Sequence, residues 1–269
     1  HLEKKYKIRA IHVNHNFNES SDNWSTFCEK QCNELGIDLT TKSIHPINDG
    51  FGIEANARDE RYRVIRESLS SNELLLTAHH KDDQLETILF RIFRGTGIDG
   101  LKGISHYMDN EGCTIFRPLL GYSRADLEDY ANENNIEWIE DDSNKNISFD
   151  RNYIRNLLIP KIKDRWKNVE ESTYRLSLIA AENHQLLDEV ASEDLSQELD
   201  PNSISISCFD SHSLPRIKNM IRFLIEKNEM DMPSMHILNS GLNDLIKNDE
   251  KSAEIKWGNH VVRRFNKRL

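Results

Sequence analysis

Along the first half of the chain, apolar positions recur with two periods, near 2 and near 3.6, and the switches between them mark out its elements. "IRAIHVNHN" (8–16) is rich in β-branched residues and predicts a strand. "SSDNWSTFCEKQCNELG" (20–36) offers Ser and Asp as caps, then sets Trp24, Phe27, Cys28, Gln31 and Leu35 at helical steps before Gly36 stops the run. "IDLTTKSIH" (37–45) predicts a second strand and "IEANARDERYRVIRESL" (53–69) a helix. "ELLLTA" (73–78) has a continuous apolar core and is expected to be the central strand. "QLETILFRIFRG" (84–95) is helical, with a stripe of Leu85, Ile88, Leu89, Ile92 and Phe93 and a glycine stop at Gly95. "EGCTIFRPLL" (111–120) adds a strand, and "SRADLEDYANENNI" (123–136) a capped helix.

Strands alternating with helices across short turns predict a parallel sheet covered on both faces. From Trp166 the pattern turns helical (168–195, 214–228, 234–247) and closes on "AEIKWGNHVVRRF", a hairpin around Gly258-Asn259. The expected division is a Rossmann-like α/β domain over 1–165 and a helical domain over 166–269. "HLEKKYK" reads as the tail of a helix, cations at its end, and both chain ends read as cut.

Composition narrows the class. No apolar run approaches the ~20 residues of a membrane span, and no signal-peptide pattern opens the chain, so the expected location is cytoplasmic, with no membrane partner. Four scattered cysteines (Cys28, Cys32, Cys113, Cys208) are too few for a disulfide scaffold; Cys28 and Cys32, on one helix, read as core rather than metal ligands. The net charge of −10 argues against a non-specific nucleic-acid coat. Two cationic islands stand out all the same. One holds Arg151, Arg155, Lys161, Lys163, Arg165 and Lys167; the other holds Arg263, Arg264, Lys267 and Arg268. They suggest docking of a polyanion, or simply a solvated face.

Ionisable groups crowd one turn, "HHKDD" (79–83), at the carboxyl end of the expected central strand, where open α/β sheets bind ligands. A capping box would explain two of them, Asp83 accepting amide hydrogens and Glu86 reaching back. It leaves His79, His80, Asp82 and Gln84 unexplained. On helix 53–69, Arg58 interrupts the stripe Ala55, Tyr62, Ile65 and Leu69, so its guanidinium needs either Glu54 or an anionic ligand as a partner. In "WIEDDSNKNISFDRNYIRNLLIP" (138–160), Asp141-Asp142-Ser143-Asn144 is turn chemistry. Its acids either cap or hold Arg151 and Arg155 in a fork for phosphate or base recognition.

Taken together, "AIHVNHNFNESSDNW", "GIEANARDERY", "TAHHKDDQLET", "RGTGIDGL", "RPLL" and "WIEDDSNKNISFDRNYIRN" resemble, in order and spacing, the tRNA(Ile)-lysidine synthetase family of the PP-loop ATP pyrophosphatase superfamily. "MPSMHIL" and "WGNHVVRRF" look like that family's helical domain. The resemblance implies an adenine nucleotide α-hydrolase-like fold and a ligase. ATP would adenylate the wobble cytidine of a tRNA(Ile) with a CAU anticodon, and free L-lysine would then displace AMP. Positioning and charge neutralisation must dominate such chemistry, and the amine must shed a proton before attack.

For that chemistry, His80 and Asp83 are expected to orient the lysine and move its proton. Asp82 or Glu86 would bind its ammonium or, with Asp83, Mg²⁺. Asn14, His15, Arg58, Arg94, Gly95 and Gly97 would border the ATP and lysine pocket, and Arg117, Arg151, Asn152 and Arg155 would meet the anticodon stem-loop. A homodimer is compatible with the family. The S-G-G-x-D-S loop that cradles pyrophosphate would precede residue 1 and a C-terminal domain would follow the hairpin, so the chain alone is expected to release no pyrophosphate. The rivals are a non-catalytic tRNA-binding fragment, a PP-loop tRNA thiolase (which tends to carry C-x-x-C, not found here), and a metal-dependent hydrolase built on His79, His80, Asp82 and Asp83.

Overall fold

The computed structural model describes residues 6–15, 21–45, 53–110, 112–196, 203–247, 254–265 and 267–269. The helix tail read at the N-terminus lies mostly outside them, as do the side chains of Glu54 and Asp142.

In chain order the elements are β1 (Arg9–Asn14), α1 (Ser21–Leu35), β2 (Asp38–Ser43), α2 (Ile53–Ser68), β3 (Leu74–Leu76), α3 (Lys81–Phe93), α4 (Ile98–Leu101), β4 (Tyr107–Asn110), β5 (Cys113–Phe116) and α5 (Arg124–Glu133). A 3₁₀ turn (Asp142–Lys145) leads into α6 (Asp150–Tyr153), a π-helical turn (Ile154–Leu158) and α7 (Ile159–Arg165). Then come α8 (Val169–Asp194), α9 (Ser207–Asp210), α10 (Leu214–Lys227), α11 (Met235–Lys247), β6 (Glu254–Trp257) and β7 (His260–Arg263). They fall into two compact units, residues 1–93 with 103–174, and residues 94–102 with 175–269.

In the first unit β1 and β2 run parallel, Arg9 beside Asp38 through Asn14 beside Ser43, and β3 runs parallel to β5. These parallel pairs, joined through helices, make the α/β architecture the alternation predicts. Two details differ. β4 pairs antiparallel with β5, a hairpin that sequence reading missed because Tyr107–Asn110 has no apolar alternation. β3, expected at the centre, ends the order β3-β5-β4 among the described residues. Its Leu74 and Leu76 are exposed, and only Leu75 packs, against Tyr62, Cys113 and Ile115. An apolar run fixes a strand's appetite for cover, not the number of its neighbours. Arg9 grips Glu73 through two hydrogen bonds (2.6 and 2.7 Å) and the Ser68 carbonyl at 2.6 Å, tying the start of β1 to the turn ahead of β3.

Helix phases also moved. α3 buries Leu85 and Ile88, but Ile92 and Phe93 are exposed in its last turn, as is Leu35 at the end of α1. On α2 the buried face is Ala57, Tyr62 and Ile65, so Arg58 is exposed and lies 5.1 Å over the Tyr62 ring; the reading of a buried Arg58 is corrected. Leu85, Ile154 and Ile159 form a separate core with Leu89, Phe90, Leu158 and Val169, which docks α3 on the segment 154–159. At ~1.5–3 kcal/mol for each fully buried aliphatic side chain, this contact holds the N-terminus of α3 in place.

The second unit packs Ile217, Met220, Ile221 and Ile225 of α10 against Leu238, Leu242 and Leu245 of α11 and against Ile255 and Trp257 of β6. Gly241 lets α11 approach β6 closely, since a Cβ there would overlap Ile255. β6 and β7 form the closing hairpin, Trp257 opposite His260. Among the described residues no helix is long and apolar enough to cross a membrane.

Candidate functional site

The charged turn sits at the N-terminus of α3. The helix begins at Lys81, three residues earlier than the capping-box reading required, and this reassigns the acids. Asp83 is the group that reaches back, its Oδ2 accepting the His80 N–H at 3.0 Å. Gln84, unexplained in the sequence, is 1% exposed; its Oε1 accepts from Ile104 N–H (2.6 Å) and its Nε2 donates to Ile104 C=O (3.2 Å). It thus pairs with a backbone as a strand would. Gly103 beside it has φ 61°, and a Cβ there would collide with the Gln84 side chain.

Asp82 is engaged on both oxygens. Lys163 Nζ donates to Oδ1 at 2.6 Å and the Arg124 amide to Oδ2 at 2.8 Å. Burial alone would raise its pKa, but Lys163 and the Arg124 amide hold it below the usual carboxylate range. With both oxygens spoken for, Asp82 does not fit a magnesium ligand in this arrangement, and Asp83 leans on the His80 amide and on Arg155, whose Nη2 lies 3.5 Å from Oδ1. Ligand atoms of three residues converge elsewhere, at Asp99, His184 and Glu226 of the second unit. His80 presents its Nε2 3.5 Å from Asp83 and its buried Nδ1 3.8 Å from Asp82.

Glu86, with a side chain only 3% exposed, is clasped by the arginines of the third constellation. Arg155 donates through Nε (2.5 Å) and Nη2 (2.8 Å), and Arg151 through Nε (3.3 Å). Both face it because they stand one turn apart, Arg151 on α6 and Arg155 within the π-helical turn that follows it. Pro160 lacks an N–H, and the Ile159 amide bonds back five residues to Ile154, which widens the turn. The fork is therefore held by Glu86 and by Asn144 (3.3 Å from Arg155 Nη1), while Asp141 caps its own turn through the Ser143 amide. Asn152 is buried, and its amide donates to the Ser143 and Asn146 carbonyls, both at 3.0 Å, so it braces the 143–146 turn.

His79 is the meeting point of the unit. Burial pushes its pKa down to about 4; Asp83 opposes the shift, and Arg117, Arg58 and Arg151 reinforce it. Thr77 Oγ1 lies 3.0 Å from its Nδ1. The structure thus brings Arg58, His79, Asp83, Arg117 and Arg151 together. Arg117, read as a tRNA contact, is an interior group: it is 3% exposed, donates to Ser105 C=O at 2.7 Å, and keeps a buried Nε with no hydrogen-bond partner. Arg61, which sequence reading passed over, is turned inward, its pKa lowered first by burial; burial and then the charge of Arg61 depress His15. Its signal was available: it lies four residues after the buried Ala57 and four before Ile65. Asn14 is buried at the end of β1, its amide donating to Asp22 (3.4 Å) and Ser25 (3.3 Å) at the start of α1.

Arg94, Gly95 and Gly97 belong to the second unit. Gly95 has φ 80° and ends α3 as the sequence suggests. In the C-terminal island, Arg264 is buried and donates to Leu245 C=O, and Arg268 donates to Ser203, so these two cations brace the fold instead of standing free on a face.

Residues 1–162 match the PP-loop domain family, and the chain belongs to it. Residues 204–269 match the TilS substrate binding domain. Among curated relatives, the tRNA(Ile)-lysidine synthases of Histophilus somni (strain 129Pt) and Haemophilus influenzae (strain 86-028NP) are 35% and 34% identical to it, over 97% and 96% of this chain. That of Actinobacillus pleuropneumoniae serotype 3 (strain JL03) is 36% identical over 99%. The chain spans 62%, 60% and 64% of those three proteins.

Proposed function

We propose that the chain is the catalytic and substrate-gripping part of a tRNA(Ile)-lysidine synthase, acting in the cytoplasm on a tRNA(Ile) with a CAU anticodon and free L-lysine. The observation that carries the reading is the gathering of Arg58, Arg117 and Arg151 on His79 and Asp83. A cluster with this excess of cations, one of them with an unmatched buried Nε, fits a polyanionic ligand such as the phosphates of ATP. ATP, when bound, supplies the adenylyl group that makes the cytidine carbon susceptible to an amine.

The chain's own groups then have distinct tasks. Arg58 and Arg117 neutralise phosphate charge. His79, neutral at pH 7, adds no further positive charge to the cluster and leaves room for a protonated amine to enter. His80, with Asp83 3.5 Å from its Nε2, takes the proton that the lysine ammonium must lose. Glu86, neutralised by two arginines, positions Arg151 and Arg155 and does not itself bind the ammonium. Residues 166–269 serve as the helical tRNA-binding part, a role supported by the substrate-domain match.

The test is lysine incorporation into the tRNA by the intact protein carrying this chain. Asp83→Ala is expected to lower turnover at least about 100-fold, a general acid–base contribution, with tRNA affinity retained. Near-normal turnover of that variant would refute the site.

A further inference from the structure

Elsewhere in the chain, three carboxylates of the second unit close on one imidazole. His184 of α8 has its Nδ1 3.2 Å from Asp99 Oδ1 of α4. Its Nε2 lies 3.4 Å from Asp188 Oδ2, one turn along α8, and 3.4 Å from Glu226 Oε1 of α10. The two ring nitrogens therefore have different surroundings. A carboxylate at Nδ1 favours the tautomer with the proton there, which leaves the Nε2 lone pair aimed between two carboxylates. With Nε2 deprotonated, its lone pair and the two carboxylates offer three donor atoms to one cation.

Lys102 supplies one positive charge. It pairs with Asp99 and stands 4.0 Å from Glu226 Oε1. Three carboxylates (Asp99, Asp188, Glu226) surround the imidazole, and Lys102 stands beside two of them. Ligand atoms of Asp99, His184 and Glu226 all lie within 4.8 Å of one another. Asp188 and Glu226 are 39% and 49% exposed, so both can rotate to the ~2.0–2.2 Å of a metal–donor bond.

We propose that the second unit binds a divalent transition metal through His184 Nε2, Asp188 and Glu226, with Asp99 holding the imidazole from its other nitrogen. One imidazole and two carboxylates form a borderline donor set suited to Zn²⁺, Co²⁺ or Mn²⁺; Mg²⁺ prefers oxygen alone. The occupied site fastens α4, and with it the segment 94–102 that carries Arg94, Gly95 and Gly97, to α8 and α10. The proposal stands independently of the reaction assigned above.

Titrating the metal-free chain with Co²⁺, without nucleotide, tests it through visible d–d absorption; Zn²⁺ calorimetry and the thermal midpoint give parallel readouts. The expected result is one saturable equivalent with a raised midpoint. His184→Ala abolishes it, the isosteric Glu226→Gln weakens it, and Asp99→Asn lowers affinity about 10–100-fold through loss of the orienting carboxylate. No saturable Co²⁺ signal up to millimolar concentration, or binding that survives both His184→Ala and Glu226→Gln, overturns the proposal. In either case the imidazole only bridges carboxylates.

Discussion

Glu86 reads in the sequence as one more acid in a crowded turn, yet its environment makes it the group most sensitive to substitution. Replacing it by Ala removes the carboxylate that Arg151 and Arg155 share and leaves Arg155 the more distant Asp83, 3.5 Å away. The buried-pair penalty, reduced because both arginines are partly exposed, gives an expected loss of about 2–3 kcal/mol in urea denaturation at pH 7. Gly103→Ala should cost at least ~2 kcal/mol, from the left-handed backbone and the collision with Gln84 together. Acid sensitivity divides between two neighbours. The native pKa of His79, about 4, lies below its ordinary 6.5, so the unfolded chain takes up that proton first. Its contribution to stability is whole above pH 6.5 and is lost as pH falls toward 4. Asp82 is depressed as well, so its contribution holds above the ordinary carboxylate pKa of ~3.9 and goes only as pH drops through its lower native value. In pH-dependent unfolding, His79→Gln should flatten the limb between pH 6.5 and 4, and Asp82→Asn only the more acid limb. The residue types of this cluster were legible; their partners were not, because Lys163 lies 81 residues from Asp82 and Arg155 lies 69 from Glu86.

Elements were legible where local chemistry decides them. Ser123 caps α5 in a reciprocal box with Asp126, as the sequence suggests, and Ser123→Ala should lower stability by about 1 kcal/mol. Phase was harder. On α2 the buried stripe runs through Ala57, Tyr62 and Ile65, and reading it one residue later put Arg58 inside and left Arg61 out. A rotation of ~100° per residue makes such a slip easy when a helix has few apolar positions. The 143–146 turn depends on an element beyond it: Asn152 of α6 satisfies two of its carbonyls. Asn152→Ala should speed amide hydrogen exchange at 143–146 and cost about 1–3 kcal/mol, since both acceptors lose their partner.

For the molecule as a whole, the acidic balance leaves the tRNA binding proposed above to local cations, and several of these are already engaged: Arg264 and Arg268 brace the C-terminal fold and Arg117 lies inside. Phosphate contacts must come from the remainder, so tRNA affinity should fall steeply between about 50 and 200 mM salt, but with a slope below that of a broadly basic binder. Affinity indifferent to salt would remove the arginine block from the tRNA interface. What the sequence determined by itself were the features with short-range causes: the strand and helix alternation, the caps and glycine stops, and the clustering of ionisable residues after the third strand. Tertiary structure alone decided that β3 pairs with β5 and, among the described residues, ends its sheet, that Asp82 pairs with Lys163, and that Glu86 holds two arginines. Each of these depends on groups dozens of residues away, and a local pattern of apolar and polar positions carries no record of which distant partner satisfies a buried charge.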